Sequence, residues 1–140
     1  MPSDFERMCR FIQEHHLLSL ATVHHNQPYN CAAFYSFNAK EVCFVMASDP
    51  KTQHIRNVLH HPYVALSIAL ETHDIGTIQG VQCHGRMHEL ESTTLEREYF
   101  QKFPYAKIMR PLLWCIRVDH IKFTDNRLGF GVKLTWTRAL

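Results

Sequence analysis

Apolar side chains alternate with polar or small ones along most of this chain, and a period of two predicts β-strands. Three predicted strands follow one another directly, at Leu17–Val23, Tyr29–Phe37 and Val42–Ser48. Later strands are predicted at Val64–Leu70, Ile78–Glu89, Trp114–Val118 with an extension into Ile121 and Phe123, and Leu128–Trp136. The sequence therefore predicts a protein made mainly of strands.

A few stretches break the alternation and predict helices. Ser3 and Glu6 have the spacing of a capping box, and the apolar residues that follow them recur with helical spacing. Helices are predicted over residues 4–15, after Ser48 or Asp49, and from Ser92 or Thr93 to Pro104.

The order of these elements predicts one antiparallel domain over residues 1–140. About seven strands are expected, and helices do not alternate with them as they would in a doubly wound parallel sheet. The fourth strand places large Leu66 and Ile68 on one face and small Ala65 and Ser67 on the other. Such a division suits a closed or strongly curved sheet, so we expect a small β-barrel with peripheral helices.

Composition excludes several classes of function. The chain has 140 residues, a net charge of +2 and 46% hydrophobic residues, which disfavours nucleic-acid binding and disorder. Apolar runs are only strand-sized and the first residues lack a signal-peptide pattern, so no membrane span is expected. The five cysteines lie apart in apolar patterns and form no C-x-x-C pair, which predicts reduced thiols in a cytoplasmic protein.

The predicted start of the second helix is the first candidate for a binding site. Ser48 or Asp49 would cap the helix, and Pro50 suits its first position. Lys51 and Thr52 then fall beside the free N–H groups of the first turn, which attract anions. The sequence suggests a phosphate site here, and the alternative is an ordinary helix start at which Lys51 is solvated.

Eleven histidines are the second chemical feature. His84 and His88 lie on one strand face, but a separation of four strand residues is about 13 Å, too far to share a metal ion. Metal ligation is therefore not expected, whereas haem needs only a single histidine ligand. No nucleophile elbow, H-E-x-x-H motif or carboxylate pair is present, and no catalytic residue is assigned.

Taken together, these residues resemble the split-barrel flavin-binding superfamily that includes pyridoxamine 5′-phosphate oxidase. The shared pattern begins with a first strand, here residues 20–23, and a strand of small residues, here 30–34. A strand that ends in Ser or Thr follows, here represented by Ser48 with Thr52. Next come a helix with a basic residue three before Asn, here His54 and Asn57, and a Pro-x-Val strand, here residues 62–64. More narrowly, the chain resembles the small YhbP-like proteins of bacteria, through residues 48–52, 78–82, 103–106 and 121–131.

This resemblance implies a homodimer of antiparallel, Greek-key-type split barrels with FMN at the subunit interface. Carried over, the phosphate contacts would be Ser48, Lys51 and Thr52, with His54 at a position where relatives often have Lys or Arg. The backbone of the second strand would flank the isoalloxazine ring, and Gln82 would reach the ring or the ribityl chain. The strand residues concerned are Asn30, Cys31, Ala32, Ala33 and Phe34.

The sequence leaves three functions open. The first is an FMN-binding protein, as a flavin-dependent oxidoreductase of unknown substrate. The second is a non-enzymatic barrel that binds haem or another cofactor, which the surplus of histidines favours. The third is a dimeric barrel that has lost its cofactor.

Overall fold

The computed structural model describes all residues, 1–140, and contains three α-helices and eight strands. The helices are α1 (Asp4–Glu14), α2 (Gln53–His60) and α3 (Thr93–Lys102). The strands are β1 (Leu17–His24), β2 (Gln27–Phe34), β3 (Ser36–Asn38), β4 (Cys43–Ala47), β5 (Tyr63–Ala69), β6 (Gln79–Glu89), β7 (Leu113–Asp125) and β8 (Lys133–Thr137). Short 3-10 helices lie at Ile75–Thr77, Pro104–Met109 and Asn126–Leu128.

All strands join one antiparallel sheet in the order β2-β1-β5-β6-β7-β4-β3, and β8 also pairs with β7. Neighbours such as β1 and β5 are distant in sequence, as in Greek-key connections. The sheet curves into a half-barrel. This architecture confirms the predicted mainly antiparallel split barrel.

Two helices fill the concave side of the sheet. Met8 and Ile12 of α1, together with Ile55 and Val58 of α2, are buried in the large core with the inward residues of the strands. The capping box of α1 forms as predicted, since Ser3 and Glu6 each accept a backbone N–H of the other. Helix α3 instead covers β4 and β7 from the opposite side, over a smaller apolar cluster.

The surface of β2, β1, β5 and β6 that faces away from the barrel interior carries no helix, and we call it the outer face. Ala32, Ser19, Ser67 and Gln82 form one row across these four strands. All four are exposed or half-buried, and their side chains are small or polar. The outer face is therefore accessible along this row.

The predicted second strand is wrong at one residue, Tyr35, which separates β2 from β3. Its ring is buried and its hydroxyl donates to the Ile12 carbonyl at 2.6 Å. The Lys102 amine donates to the Tyr35 carbonyl at 2.7 Å and to that of His15 at 3.3 Å. Contacts with both α1 and α3 thus interrupt a pattern that looks continuous in the sequence.

The predicted last strand is wrong in its first half, because β8 begins only at Lys133. Gly129 and Gly131 have φ of 139° and 76°, values that favour glycine and break a strand. The Asn126 side chain holds this turn by accepting from the Gly131 N–H at 3.3 Å and donating to the Ile75 carbonyl at 2.8 Å.

A β-bulge interrupts the long pairing of β6 with β7. Gly85 pairs with Val118 although the residue before it pairs with His120, so Asp119 is an extra residue in β7. A Cβ atom on Gly85 would overlap the carbonyl of Arg117 and lie 2.9 Å from its carbon. Backbone atoms cannot move aside as a flexible side chain can, so this position requires glycine.

A buried polar pair joins α2 to β1. Asn57 and Thr22 are each 2% exposed, and the Asn57 amide donates to the Thr22 hydroxyl at 3.1 Å. The Asn57 oxygen accepts from Gln53 at 2.7 Å, so both ends of the amide are satisfied.

We expect Asn57→Leu to lower the free energy of unfolding by about 2 kcal/mol, because it leaves the buried Thr22 hydroxyl without its partner. Gln13→Leu, the same change at an exposed position of α1, should cost about 0.5 kcal/mol or less. Urea unfolding of both variants tests this, and equal losses would contradict a special role for the buried pair.

Candidate functional site: the start of helix α2

Helix α2 begins three to four residues later than predicted. Thr52 is its N-cap, and the Thr52 hydroxyl accepts from the Ile55 N–H at 3.4 Å. Ser48 or Asp49 as the cap, with Pro50 at the first helical position, is therefore wrong. The reason is a competing turn, in which the Asp49 carboxylate accepts from the Lys51 N–H at 2.7 Å.

Three side chains meet at this helix start, and we call Ser48, Thr52 and His54 the polar cluster. The Ser48 hydroxyl lies 2.5 Å from Nε2 of His54 and 3.4 Å from the Thr52 hydroxyl. Thr52 Oγ1 is 3.3 Å from the same His54 nitrogen. These predicted phosphate contacts are thus adjacent in the structure, whereas Lys51 is exposed and in none of these hydrogen bonds.

The end of β4 fixes the position of Ser48. Its N–H donates to the Leu112 carbonyl at 3.0 Å, and its own carbonyl accepts from the indole Nε1 of Trp114 at 2.9 Å. Trp114 is buried, and its indole N–H holds Ser48 of the polar cluster in place.

The polar cluster has donors suited to an anion but little positive charge. Burial lowers the pKa of His54 below its usual value, so its imidazole is neutral at pH 7. The Ser48 hydroxyl and the N–H groups of the first helical turn can donate to phosphate oxygens. The Thr52 hydroxyl donates to the Asp49 carbonyl at 2.8 Å and would have to exchange that bond for one to the phosphate. A phosphate monoester fits this donor set, and protonation of His54 would add a cation beside it.

The five candidate residues of β2 divide between two faces. Asn30, Ala32 and Phe34 are exposed, whereas Cys31 and Ala33 are partly buried and pack against the barrel core. Because alternate side chains lie on opposite faces, the five side chains cannot all contact one planar ring, whereas the backbone of the whole segment can lie beside it. The Asn30 side-chain oxygen also accepts from the Ser19 hydroxyl at 2.9 Å.

Gln82 lies far from the β2 candidates within one chain. It shares the outer face with Ala32, but β1 and β5 lie between their strands. Three strand spacings amount to about 14 Å. A single small ligand on β2 does not reach Gln82 of the same chain by this route.

Sequence reasoning missed the contribution of Lys102 to this region. Its amine lies 4.6 Å from the ring centroid of Tyr35, and burial lowers its pKa. It also lies 5.2 Å from the ring of Phe103, which in turn contacts Phe34 at 5.7 Å. Only the chain reversals of the fold bring these residues together, so no local pattern signalled them.

The curved antiparallel half-barrel belongs to the class of pyridoxamine 5′-phosphate oxidase-like split barrels. The family model described as pyridoxamine 5′-phosphate oxidase matches residues 5–124. Within this class, the chain belongs to the UPF0306 (YhbP-like) family. The UPF0306 protein YhbP of Salmonella arizonae is 34% identical over 132 residues, which cover 92% of this chain and 90% of that protein. A UPF0306 protein of Enterobacter sp. is 37% identical, over 93% and 94% of the two chains.

Solved structures show the same fold at low sequence identity. A heme binding protein from Mycobacterium smegmatis has a TM-score of 0.82 at 18% identity, over 98% of this chain and 59% of that one. A FAD-binding protein from Mesorhizobium loti has a TM-score of 0.71 at 14% identity, over 84% and 89% of the two chains.

None of the helices of this chain combines the length and apolar character needed to cross a bilayer.

Proposed function

We propose that this protein binds FMN with its phosphate at the polar cluster and acts as a flavin-dependent oxidoreductase. The observation that carries the proposal is the meeting of Ser48, Thr52 and His54 at the first turn of α2. Two hydroxyls, an imidazole and free backbone N–H groups suit the terminal phosphate that distinguishes FMN from riboflavin. Membership of the pyridoxamine 5′-phosphate oxidase class supports a flavin.

In this proposal the isoalloxazine ring lies along the backbone of residues 30–34. Phe34 at the end of β2 is 59% exposed, and the neighbouring Leu17 is 53% exposed. These apolar surfaces are available to a ring or to a second chain. The bound flavin would supply the redox chemistry, and the chain would hold and orient it.

The proposal includes a homodimer formed through the outer face. Small side chains such as Ala65 and Ser67 allow close approach of another sheet, and Tyr63 on the same face is 53% exposed. A partner chain would also explain the position of Gln82. It would contact the flavin bound to the partner subunit rather than the flavin bound to its own chain.

The test is flavin retention by the purified protein. We expect FMN to co-elute with the wild-type protein on gel filtration at the dimer volume, and Lys51→Ala/Thr52→Ala to weaken FMN binding about tenfold. Thr94→Ala/Lys107→Ala removes the same side chains from exposed positions near α3 and should bind FMN as the wild type does.

Unchanged affinity for FMN in Lys51→Ala/Thr52→Ala would show that the phosphate does not bind at the start of α2.

A parallel titration with hemin tests the second candidate function, a haem-binding barrel. That candidate is favoured by His84 and His120, whose rings stack at 5.5 Å on the accessible surface of β6 and β7, and by the heme-binding structural neighbour. A Soret band lost in His84→Ala or His120→Ala but kept in His73→Ala, without FMN retention, would replace the flavin by haem.

A further inference from the structure

A cavity of about 430 Å³ lies on the side of the sheet that α3 covers, and it shares no residue with the polar cluster. The buried thiols of Cys43 on β4 and Cys115 on β7 line it. Its remaining polar wall residues are Glu41, His88, Glu91, Ser92, Arg117 and Arg138. Nothing in the proposed flavin function uses this cavity.

Strand register places the two thiols at a specific separation. Cys43 pairs with Arg117, so Cys115, two residues away on β7, is its diagonal neighbour on the same face. Diagonal neighbours in an antiparallel pair lie about 7–8 Å apart between Cα atoms. A disulfide prefers about 5.5–6 Å, so direct oxidation of this pair would require the strands to move.

A bridging metal ion fits this separation better than a disulfide does. Two metal–sulfur bonds of about 2.3 Å each allow the sulfur atoms to be up to about 4.6 Å apart. His88 pairs directly with Cys115 from β6, which places an imidazole on the third strand of the same row. Its Nδ1 lies 3.0 Å from the Glu89 carbonyl, and the ring does not converge with the two thiols as a third ligand.

The ligand set selects the kind of metal. No three His, Cys, Asp or Glu side chains converge as a metal site, so an ion that needs four protein ligands, such as structural zinc, is poorly served. Two thiols without a further convergent ligand suit a soft ion of low coordination number. Thiolates bind Cu(I), zinc and iron–sulfur clusters, and of these zinc and the clusters need about four protein ligands, which leaves Cu(I).

Arg138 supplies a cation without a carboxylate partner at the cavity wall. It is half-buried, and its guanidinium donates to the carbonyls of Val118, Glu41 and Val42 at 2.8–3.0 Å but to no carboxylate. A Cu(I) ion held by two thiolates carries one net negative charge, which Arg138 can offset. Arg117 is already paired with Asp119 at 3.1 Å, and the carboxylates of Glu41 and Glu91 also line the cavity.

We propose that Cys43 and Cys115 form a two-coordinate Cu(I) site in this cavity. Binding replaces the two thiol protons by one Cu(I) ion, with no change of oxidation state. The site is independent of the flavin proposal, and either can fail without the other.

The experiment is an anaerobic titration of the full-length reduced protein with Cu(I), in competition with the chelator bicinchoninate. We expect one Cu(I) per chain, with affinity at least about 100-fold lower in Cys43→Ala and in Cys115→Ala. Cys83→Ala removes a buried thiol from the barrel core, and Cys31→Ala removes the half-buried one; both should bind as the wild type does. Copper X-ray absorption should show two sulfur neighbours.

Alkylation of the wild-type protein decides the matter if a cysteine variant does not fold. Cu(I) should protect Cys43 and Cys115 from iodoacetamide during slow unfolding in urea, while Cys31 stays reactive. Equal reactivity of all five cysteines with and without Cu(I), or equal loss of affinity in the Cys31 and Cys83 variants, would overturn the proposal.

Discussion

Replacing His54 with lysine should tighten FMN binding about tenfold at pH 7, which is about 1.4 kcal/mol. The wild-type imidazole is neutral there because burial lowers its pKa. A permanent ammonium group at this position would add a charge-assisted hydrogen bond to the phosphate, worth about 1.5–3 kcal/mol before the cost of desolvating the amine. Fluorescence titration of FMN measures the change.

His73→Lys adds the same charge at an exposed loop position and is the matched control. If His73→Lys tightens binding as much as His54→Lys, the gain reflects net charge alone. If His54→Lys weakens binding, the phosphate does not lie beside residue 54.

The same histidine gives the wild-type affinity a pH dependence of defined sign. The free protein holds His54 neutral with a lowered pKa, and a phosphate dianion beside the ring favours the protonated form and raises that pKa in the complex. Binding therefore takes up a proton, and affinity should rise as the pH falls from about 8 to about 6.5. His54→Lys and His54→Gln should both flatten this part of the profile.

Gly85→Ala should destabilise the fold by about 3 kcal/mol, the largest effect we expect from a single added methyl group. The new Cβ would overlap the Arg117 carbonyl across the β6–β7 bulge, where the two backbones approach closely. Relief requires β7 to move away and its hydrogen bonds to β6 to lengthen. Urea unfolding measures the loss of stability.

Gly80→Ala on the same strand is the control, because its Cβ would lie 3.1 Å from the Ile68 carbonyl oxygen and needs only a small shift. We expect a loss of about 1 kcal/mol there. Equal costs at the two positions would show that glycine in β6 matters for its general flexibility rather than for the bulge.

Local chemistry explains which elements could be predicted from the sequence. The capping box of Ser3 and Glu6 and the alternation along β5 and β6 depend only on residues a few positions apart, and both are present as predicted. Tyr35 could not be placed, because its partners Ile12 and Lys102 come from distant parts of the chain. The break after β2 is therefore a tertiary effect.

Local chemistry also explains why the grouping of the polar cluster could be predicted from the sequence. Ser48, Thr52 and His54 are close in sequence, so a single turn and helix start brings them together. The position of the helix cap was wrong because the Asp49 turn competes with an earlier start. The distance of Gln82 from β2 depends on strand order, which alternation alone does not determine.

Strand β2 affects how readily an isolated chain aggregates. It forms one edge of the sheet, and its eight residues carry no charged side chain and only one proline, Pro28, near the start. Natural proteins commonly protect such an edge with lysines, prolines or a covering element, since unpaired N–H and C=O groups recruit other strands. An isolated chain therefore exposes a template for aggregation, and a specific partner that covers β2 would act as its protection as well as its binding surface.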